Sequence, residues 1–206
     1  MSEYHKIVTV YERDPATKFR TLLDGQWATP EFAYLKNNEW LWTEKVDGTN
    51  IRIKWDGTKV EFGGKTDNAQ LYAPLIEWMH SKFYSGALAR VFDGPAIIYG
   101  EGFGAGIQGG GKYRKDTVVI AFDVFMGGMW LKRDSVEDIA NKLEIEIVPL
   151  VGRGSLSDAI QLVKNGYESA WAGVPPEGLV MRPAVEMLDR RGQRIITKIK
   201  AKDFKP

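Results

Sequence analysis

The chain contains no cysteine. That excludes a disulfide framework and thiolate metal sites, and it suits a reducing compartment such as the cytoplasm. Histidine is nearly as scarce, with His5 and His80 alone. A single histidine on a helical stretch reads as a structural or surface residue, so neither is given a chemical role. There is no apolar run of signal-peptide length in MSEYHKIV, and charges interrupt every stretch that could span a membrane. Those gaps describe a soluble protein with no membrane partner. There is also almost no net charge, +1 overall, and hence no global electrostatic reason to expect nucleic acid. Internal repeats and low-complexity linkers are missing too, so residues 1–206 read as a single domain.

What is present is a well-cored globular chain, 44% hydrophobic and 12% aromatic over 206 residues. Its charge is unevenly spread. From Met181 to Pro206 eight Lys or Arg face three acids, so this end carries +5 and the preceding 180 residues −4. Such an end is either a solvated tail or a phosphate-binding surface. Period-two patterning predicts strands at Lys6–Tyr11, Trp40–Glu44, Thr49–Trp55, Lys59–Phe62, Pro95–Glu101, Thr117–Phe125, from Glu177, and at Arg194–Lys200. Helical spacing predicts a helix through Leu71, Leu75, Met79 and Phe83 capped by Asp67 or Asn68. Two more are expected, one begun by Asp134 and one by Ser155 or Ser157 and stopped at Gly166. Strands with interspersed helices and no regular alternation argue an α+β fold with mixed or antiparallel sheets.

Chemistry concentrates in a few places. Lys45 ends the aromatic strand WLW and is followed by Asp47 and Gly48, which places an amine beside a turn where a ligand can approach. Lysine is a poor nucleophile at its ordinary pKa near 10.4, so it needs neighbouring cations or a desolvated pocket. Lys198 and Lys200 emerge from one face of RIITKIK and can meet one phosphate. Asn50, Arg52 and Lys54 share a strand face, opposite Ile51, Ile53 and Trp55. Glu101 is a lone acid at a strand end. Asp123 sits in the apolar run VVIAFDVF and calls for a partner, with Phe122 pointing the other way. The run GFGAGIQGGGKY touches two phosphate-loop patterns and satisfies neither. After Gly109 come Gly110 and Gly111 in place of a helix, and Tyr113 stands where a small hydroxyl would bind magnesium.

Taken together, EKVDGTN, YGEGFGAGIQ with Phe122-Asp123, EGLV and KIK, in this order from Trp40 to Lys200, resemble the covalent nucleotidyltransferases. Within that superfamily they are most similar to the ATP-dependent RNA ligase 2 and RNA-editing ligase branch, since DNA ligases usually carry arginine where Asn50 stands. The resemblance implies a nucleotidyltransferase (adenylation) domain of the ATP-grasp-like type, with antiparallel sheets flanked by helices and a nucleotide cleft between them. It implies that Lys45 takes AMP from ATP as a phosphoamide. The AMP then passes to a 5′-phosphate end, and a 3′-hydroxyl displaces it. In the same reading Lys198 and Lys200 neutralise the transferring phosphate and help activate Lys45. Glu101 meets the ribose or a hydrated Mg2+ (or Mn2+), with Asp47 and Glu177 also toward the metal. Phe122 and Val180 pack against adenine, the backbone of Glu44 and Val46 reads its edge, and Asn50 contacts phosphate or the ends.

Departures from the pattern are Lys65, where such ligases usually have arginine, and the six residues after Lys200, on which the expectation is a catalytic domain with no OB or other C-terminal domain. Nick recognition is then expected from the domain itself, from Arg190, Arg191 and Arg194, or from an accessory protein. RNA ends or a nicked duplex, including an RNA/DNA hybrid, are the expected substrates. DNA nick sealing, RNA capping and a noncatalytic nucleotide- or RNA-binding module are the alternatives.

Overall fold

A computed structural model describes residues 3–204. The chain divides into two compact units. The Lys45 unit holds Lys6–Lys45 and the chain from Pro149 onward. The Glu101 unit holds Val46–Val148 with the N-terminal residues as far as His5. The Lys45 unit opens with β1 (Val8–Thr9), β2 (Tyr11–Arg13), β3 (Leu22–Trp27), α1 (Pro30–Leu35) and β4 (Trp40–Glu44). The Glu101 unit follows as β5 (Thr49–Trp55), β6 (Val60–Gly63), α2 (Ala73–Lys82), α3 (Ser85–Ala89), β7 (Ala96–Gly104), β8 (Thr117–Met126), β9 (Met129–Trp130), α4 (Arg133–Lys142) and β10 (Glu146–Ile147). The chain then returns as β11 (Leu150–Gly154), α5 (Leu156–Asn165), β12 (Gly178–Pro183) and β13 (Thr197–Lys200). No helix among the described residues is long and apolar enough to cross a membrane.

In the Lys45 unit, five strands run in the order β1-β13-β12-β4-β11. Only the β1–β13 pair is parallel. Alternation sends Trp40, Trp42, Leu179, Met181 and Ile199 into a core with Leu156, Ala159, Ile160 and Val163 of α5. Each such side chain contributes about 1.5–3 kcal/mol by leaving water, so this core face dictates the register. The other face is left for Thr43, Val180, Lys198 and Lys200, all half-buried. α5 begins at a reciprocal cap: Ser155 accepts from the Asp158 N–H, and Asp158 accepts from the Ser155 N–H.

In the Glu101 unit the sheet order is β10-β8-β7-β5-β6, with β9 beside β8. Ile51, Ile53 and Trp55 pack with Leu75 and Met79 of α2 and Val136, Ile139 and Ala140 of α4. Asn50 and Arg52 take the opposite face, as alternation requires.

The structure corrects several expectations. Lys6–Tyr11 is broken into β1 and β2. Glu101 lies inside β7, because pairing with β5 and β8 continues to Gly104. α2 starts at Ala73, with Pro74 in its first turn, where a missing N–H costs nothing. Asp67 is instead the partner of Arg52. α4 begins at Arg133 without a side-chain cap, leaving Asp134 in its first turn. The last strand is only Thr197–Lys200. β8 carries a bulge: Ala121 faces Gly100 and Asp123 faces Tyr99, so Phe122 is the extra residue and strict alternation with Asp123 fails there. Asp123 does have its partner, since the Tyr4 hydroxyl donates to it.

Candidate active site

In the Lys45 unit the critical geometry starts at Gly178. Its φ is +146°, and a Cβ there would lie 2.0 Å from the Ile199 carbonyl oxygen. Only glycine lets β12 begin this close to β13. The Gly178 carbonyl accepts from the Lys45 N–H at 2.8 Å and from the Tyr167 hydroxyl at 2.7 Å. Gly178 is also in register with Lys200. The residue before it, Glu177, therefore stands beside both lysines. Its Oε2 accepts from Lys45 Nζ and its Oε1 from Lys200 Nζ, each at 2.8 Å. One carboxylate thus bridges two ammonium groups.

Burial pushes the Glu177 carboxyl up, but Lys45 and Lys200 outweigh it and hold the group below the usual glutamate range. The balance is reasonable: opposite unit charges about 4 Å apart attract by about 4 kcal/mol at an effective dielectric near 20. Lys198 projects from the same face two residues earlier. Its row across the sheet contains Thr9, Val180 and Thr43. Two of the three expected lysines, with one of the expected acids, are therefore in direct contact, and the third lysine and Val180 share their sheet face.

Glu44 behaves differently from its neighbour. It is buried, and its carboxylate accepts from Ser169 Oγ at 2.6 Å and the Ala170 N–H at 2.9 Å. Its own N–H donates to the Pro149 carbonyl at 2.9 Å. Glu44 thus ties the segment leading to Glu177 onto the strand that ends in Lys45. The sequence offered one signal for this role, the alternation that turns residue 44 away from the face of residue 45.

In the Glu101 unit, Asn50 and Glu101 face each other across β5 and β7. The Asn50 Oδ1 is buried without a hydrogen-bond partner, so it retains acceptor capacity for a donor brought by a ligand. Gly48 is required by packing, since a Cβ would sit 2.2 Å from the Gly102 carbonyl oxygen. The glycine-rich segment after β7 lies on this turn. Gln108 Nε2 donates to the Gly48 carbonyl at 3.0 Å, and Lys112 Nζ is 3.8 Å from Asp47 Oδ2. Val46 is buried, Lys65 is exposed, and Phe122 presents its ring to Tyr4 edge-on at 5.1 Å.

Arg52, on the polar face of β5, has a structural role that alternation does not reveal. It is fully buried, donating to the Gly64 carbonyl at 2.6 Å and Asp67 at 2.9 Å. Among the described residues no group of three or more His, Cys, Asp or Glu side chains stands ready to hold a metal ion. Mg2+ does not need one, because it binds through one or two carboxylates, water and substrate phosphates. The donor chemistry of Glu177 fits it: a hard, ionised carboxylate whose two oxygens already attract positive charge.

Two such sheets with their helices define the class: an α+β, nucleotidyltransferase-type fold. It is the fold of an RNA ligase from Naegleria gruberi. A mutant of that ligase solved with AMP and Mn aligns at TM-score 0.73 and 15% identity over 99% of this chain and 57% of that one. A second mutant, solved with ATP and Mn, aligns at TM-score 0.69 and 17% identity over 85% of this chain and 52% of that one. The chain therefore spans little more than half the length of the ligases it matches. Comparison with curated protein sequences returns no match. The RNA ligase family model matches residues 38–200, and the chain belongs to that family.

Proposed function

We propose that residues 1–206 form one adenylyltransferase catalytic domain of an ATP-dependent RNA ligase, with Lys45 as its nucleophile. The observation that carries this reading is the Lys45–Glu177–Lys200 bridge. Two ammonium groups on one sheet share a single carboxylate, and such a pair of amines suits a phosphate. Near neutral pH the Glu177 carboxylate is ionised and holds the Lys45 ammonium. Release from that contact and loss of a proton free the lone pair of Nζ. The amine then attacks the α-phosphorus of ATP. A P–N bond forms, the bond to the bridging oxygen of pyrophosphate breaks, and pyrophosphate and one proton leave.

Lys198 and Lys200 stabilise charge on the transferring phosphate. Glu177 in the Lys45 unit, and Asp47 and Glu101 in the Glu101 unit, are the carboxylates each unit offers to a divalent metal, which when bound would supply further charge neutralisation on the phosphates. Phe122 in the Glu101 unit and Val180 in the Lys45 unit each offer apolar surface suited to an adenine base, and Asn50 offers an acceptor for the nucleotide or the ends. Glu44 and Val46 act through the backbone, and Lys65 as an exposed cation. AMP is then transferred to a 5′-phosphate end, and a 3′-hydroxyl displaces it to form the phosphodiester. The aligned Naegleria gruberi ligases, solved with ATP or AMP and Mn, support this choice of nucleotide and metal. RNA ends or a nicked duplex, including an RNA/DNA hybrid, are the proposed substrates in the cytoplasm, with an accessory protein as a further partner.

Incubating the protein with α-labelled ATP or GTP and Mg2+ or Mn2+, then denaturing it, tests the covalent step. Label from ATP on the parent and none on Lys45→Ala is expected. Label on the mutant, or none on the parent, overturns the reading. Nicked duplexes with RNA or DNA on the 3′-hydroxyl side then select the strand.

A further inference from the structure

The strands that flank Glu177 and carry Lys198 and Lys200 do not end at the sheet. Beyond β12 and before β13 the chain folds back as a small arm. Leu188 pairs antiparallel with Arg194, and the Ile195 N–H donates to the Met187 carbonyl at 2.9 Å. The Asp189 N–H donates to the Gln193 carbonyl at 2.7 Å. At the tip, Asp189-Arg190-Arg191-Gly192, the Gly192 N–H returns to the Asp189 carbonyl at 2.9 Å, and Gly192 has φ +75°. This is a type I turn closed by a glycine in the left-handed region, which matches the twist of a hairpin. The Asp189 side chain fixes the turn by accepting from the N–H groups of Arg191 and Gln193, both at 2.8 Å.

The arm's three arginines split into two kinds. Arg194 is held by Glu186 in a two-pronged pair, with Nη2 2.8 Å from Oε2, and its side chain is only 1% exposed. It pins the arm's base, so the expectation that it contacts substrate is corrected. Arg190 and Arg191 occupy the two central turn positions. Both are exposed, and among the described residues neither side chain has an ion-pair or hydrogen-bond partner. Nothing in the fold requires cations there. Exposed Leu188 and Val185 flank them, and this end of the chain carries the protein's excess positive charge.

We infer that this arm is a phosphate-backbone contact for the RNA, resting on the proposed ligase reading and adding the surface that holds the strand away from the joint. Partner choice follows from charge complementarity: two guanidiniums carried on one fixed turn suit a polyanion of regularly spaced phosphates. Reach sets the footprint. Arg191 stands nine residues from Lys200, at most about 30 Å of extended chain, or about nine nucleotides at roughly 3.4 Å each.

The test measures binding of a nicked RNA duplex that lacks the 3′-hydroxyl at the nick, by fluorescence anisotropy at several salt concentrations. Arg190→Gln with Arg191→Gln is expected to weaken binding about tenfold and flatten the log–log salt slope by about 1.4–1.8, the loss of two phosphate contacts. Gly192→Ala keeps both charges but strains the turn, and is expected to weaken binding about threefold. Lys18→Gln with Arg20→Gln, which removes the same charge from the β2–β3 connection, controls for net charge. Unchanged affinity in the arginine double variant, weaker binding with an unchanged slope, or an equal loss in the control pair would each overturn the inference. Parental binding by Gly192→Ala would overturn the fixed-turn part of it. Labelling of Lys45 by ATP needs no RNA, so its absence in the parent would sink the ligase reading while leaving the arm's salt slope to be judged separately.

Discussion

The two units hold their charges in opposite ways. In the Glu101 unit, Arg52 is wholly buried and its hydrogen bonds go to Gly64 and Asp67, while Asp123 is buried against Tyr4. In the Lys45 unit, Lys45, Lys200 and Glu177 keep about a fifth of each side chain open to solvent, and the two lysines divide the one carboxylate between them. A buried, saturated charge cannot be withdrawn without leaving an orphaned partner. A partly open, shared one can exchange its partner for a ligand. The difference separates charges that hold a fold together from charges available for chemistry.

That contrast breaks if removing charge costs the same currency in both units. The largest expected effect is on Lys45→Ala, which should lower adenylate labelling at least about a thousandfold while its melting temperature stays close to the parent's. Next is Arg52→Ala, which should destabilise the protein by about 3–5 kcal/mol in a denaturant titration, by emptying the space of a wholly buried side chain and leaving the Gly64 carbonyl without its donor, while the exposed Asp67 carboxylate returns to water. A normal unfolding midpoint for that variant would erase the distinction. Glu177→Gln should reduce labelling by about a hundredfold and sharpen the comparison through pH. Because the folded-state pKa of Glu177 is depressed, its stabilising contribution is present above the ordinary glutamate pKa and is lost as pH falls through the lower folded value. The stability gap between parent and Glu177→Gln should therefore be full at pH 7 and close toward pH 3. Smallest is Ser155→Ala, which removes the α5 cap and should cost about 1 kcal/mol without changing labelling.

Much of this was legible from residues alone, for physical reasons that also explain the failures. β4 and β5 matched their expected bounds because each has one apolar face that can only go inward. The Ser155 cap and the Gly166 stop were visible because capping uses a local hydrogen bond between near neighbours. The start of α2 was misplaced because Asp67 was needed by Arg52, a partner fifteen residues earlier that spacing does not reveal. The bulge at Phe122 was invisible for the same reason, since it exists only against β7. In the site, the lysines and Glu177 could be named from their motifs. That Glu177 serves both amines depends on the register of β12 with β13 and β4, which is a tertiary fact.

The clamp formed by Glu44 sets a rule for redesign. Residues 43, 44 and 45 are consecutive, yet Thr43 makes one long side-chain bond, to the Val180 carbonyl at 3.3 Å, whereas a change at 44 that removes its carboxylate releases the loop around Ser169 and lets the acid eight positions later drift from the amine. A redesign of this sheet face should therefore leave the middle one untouched.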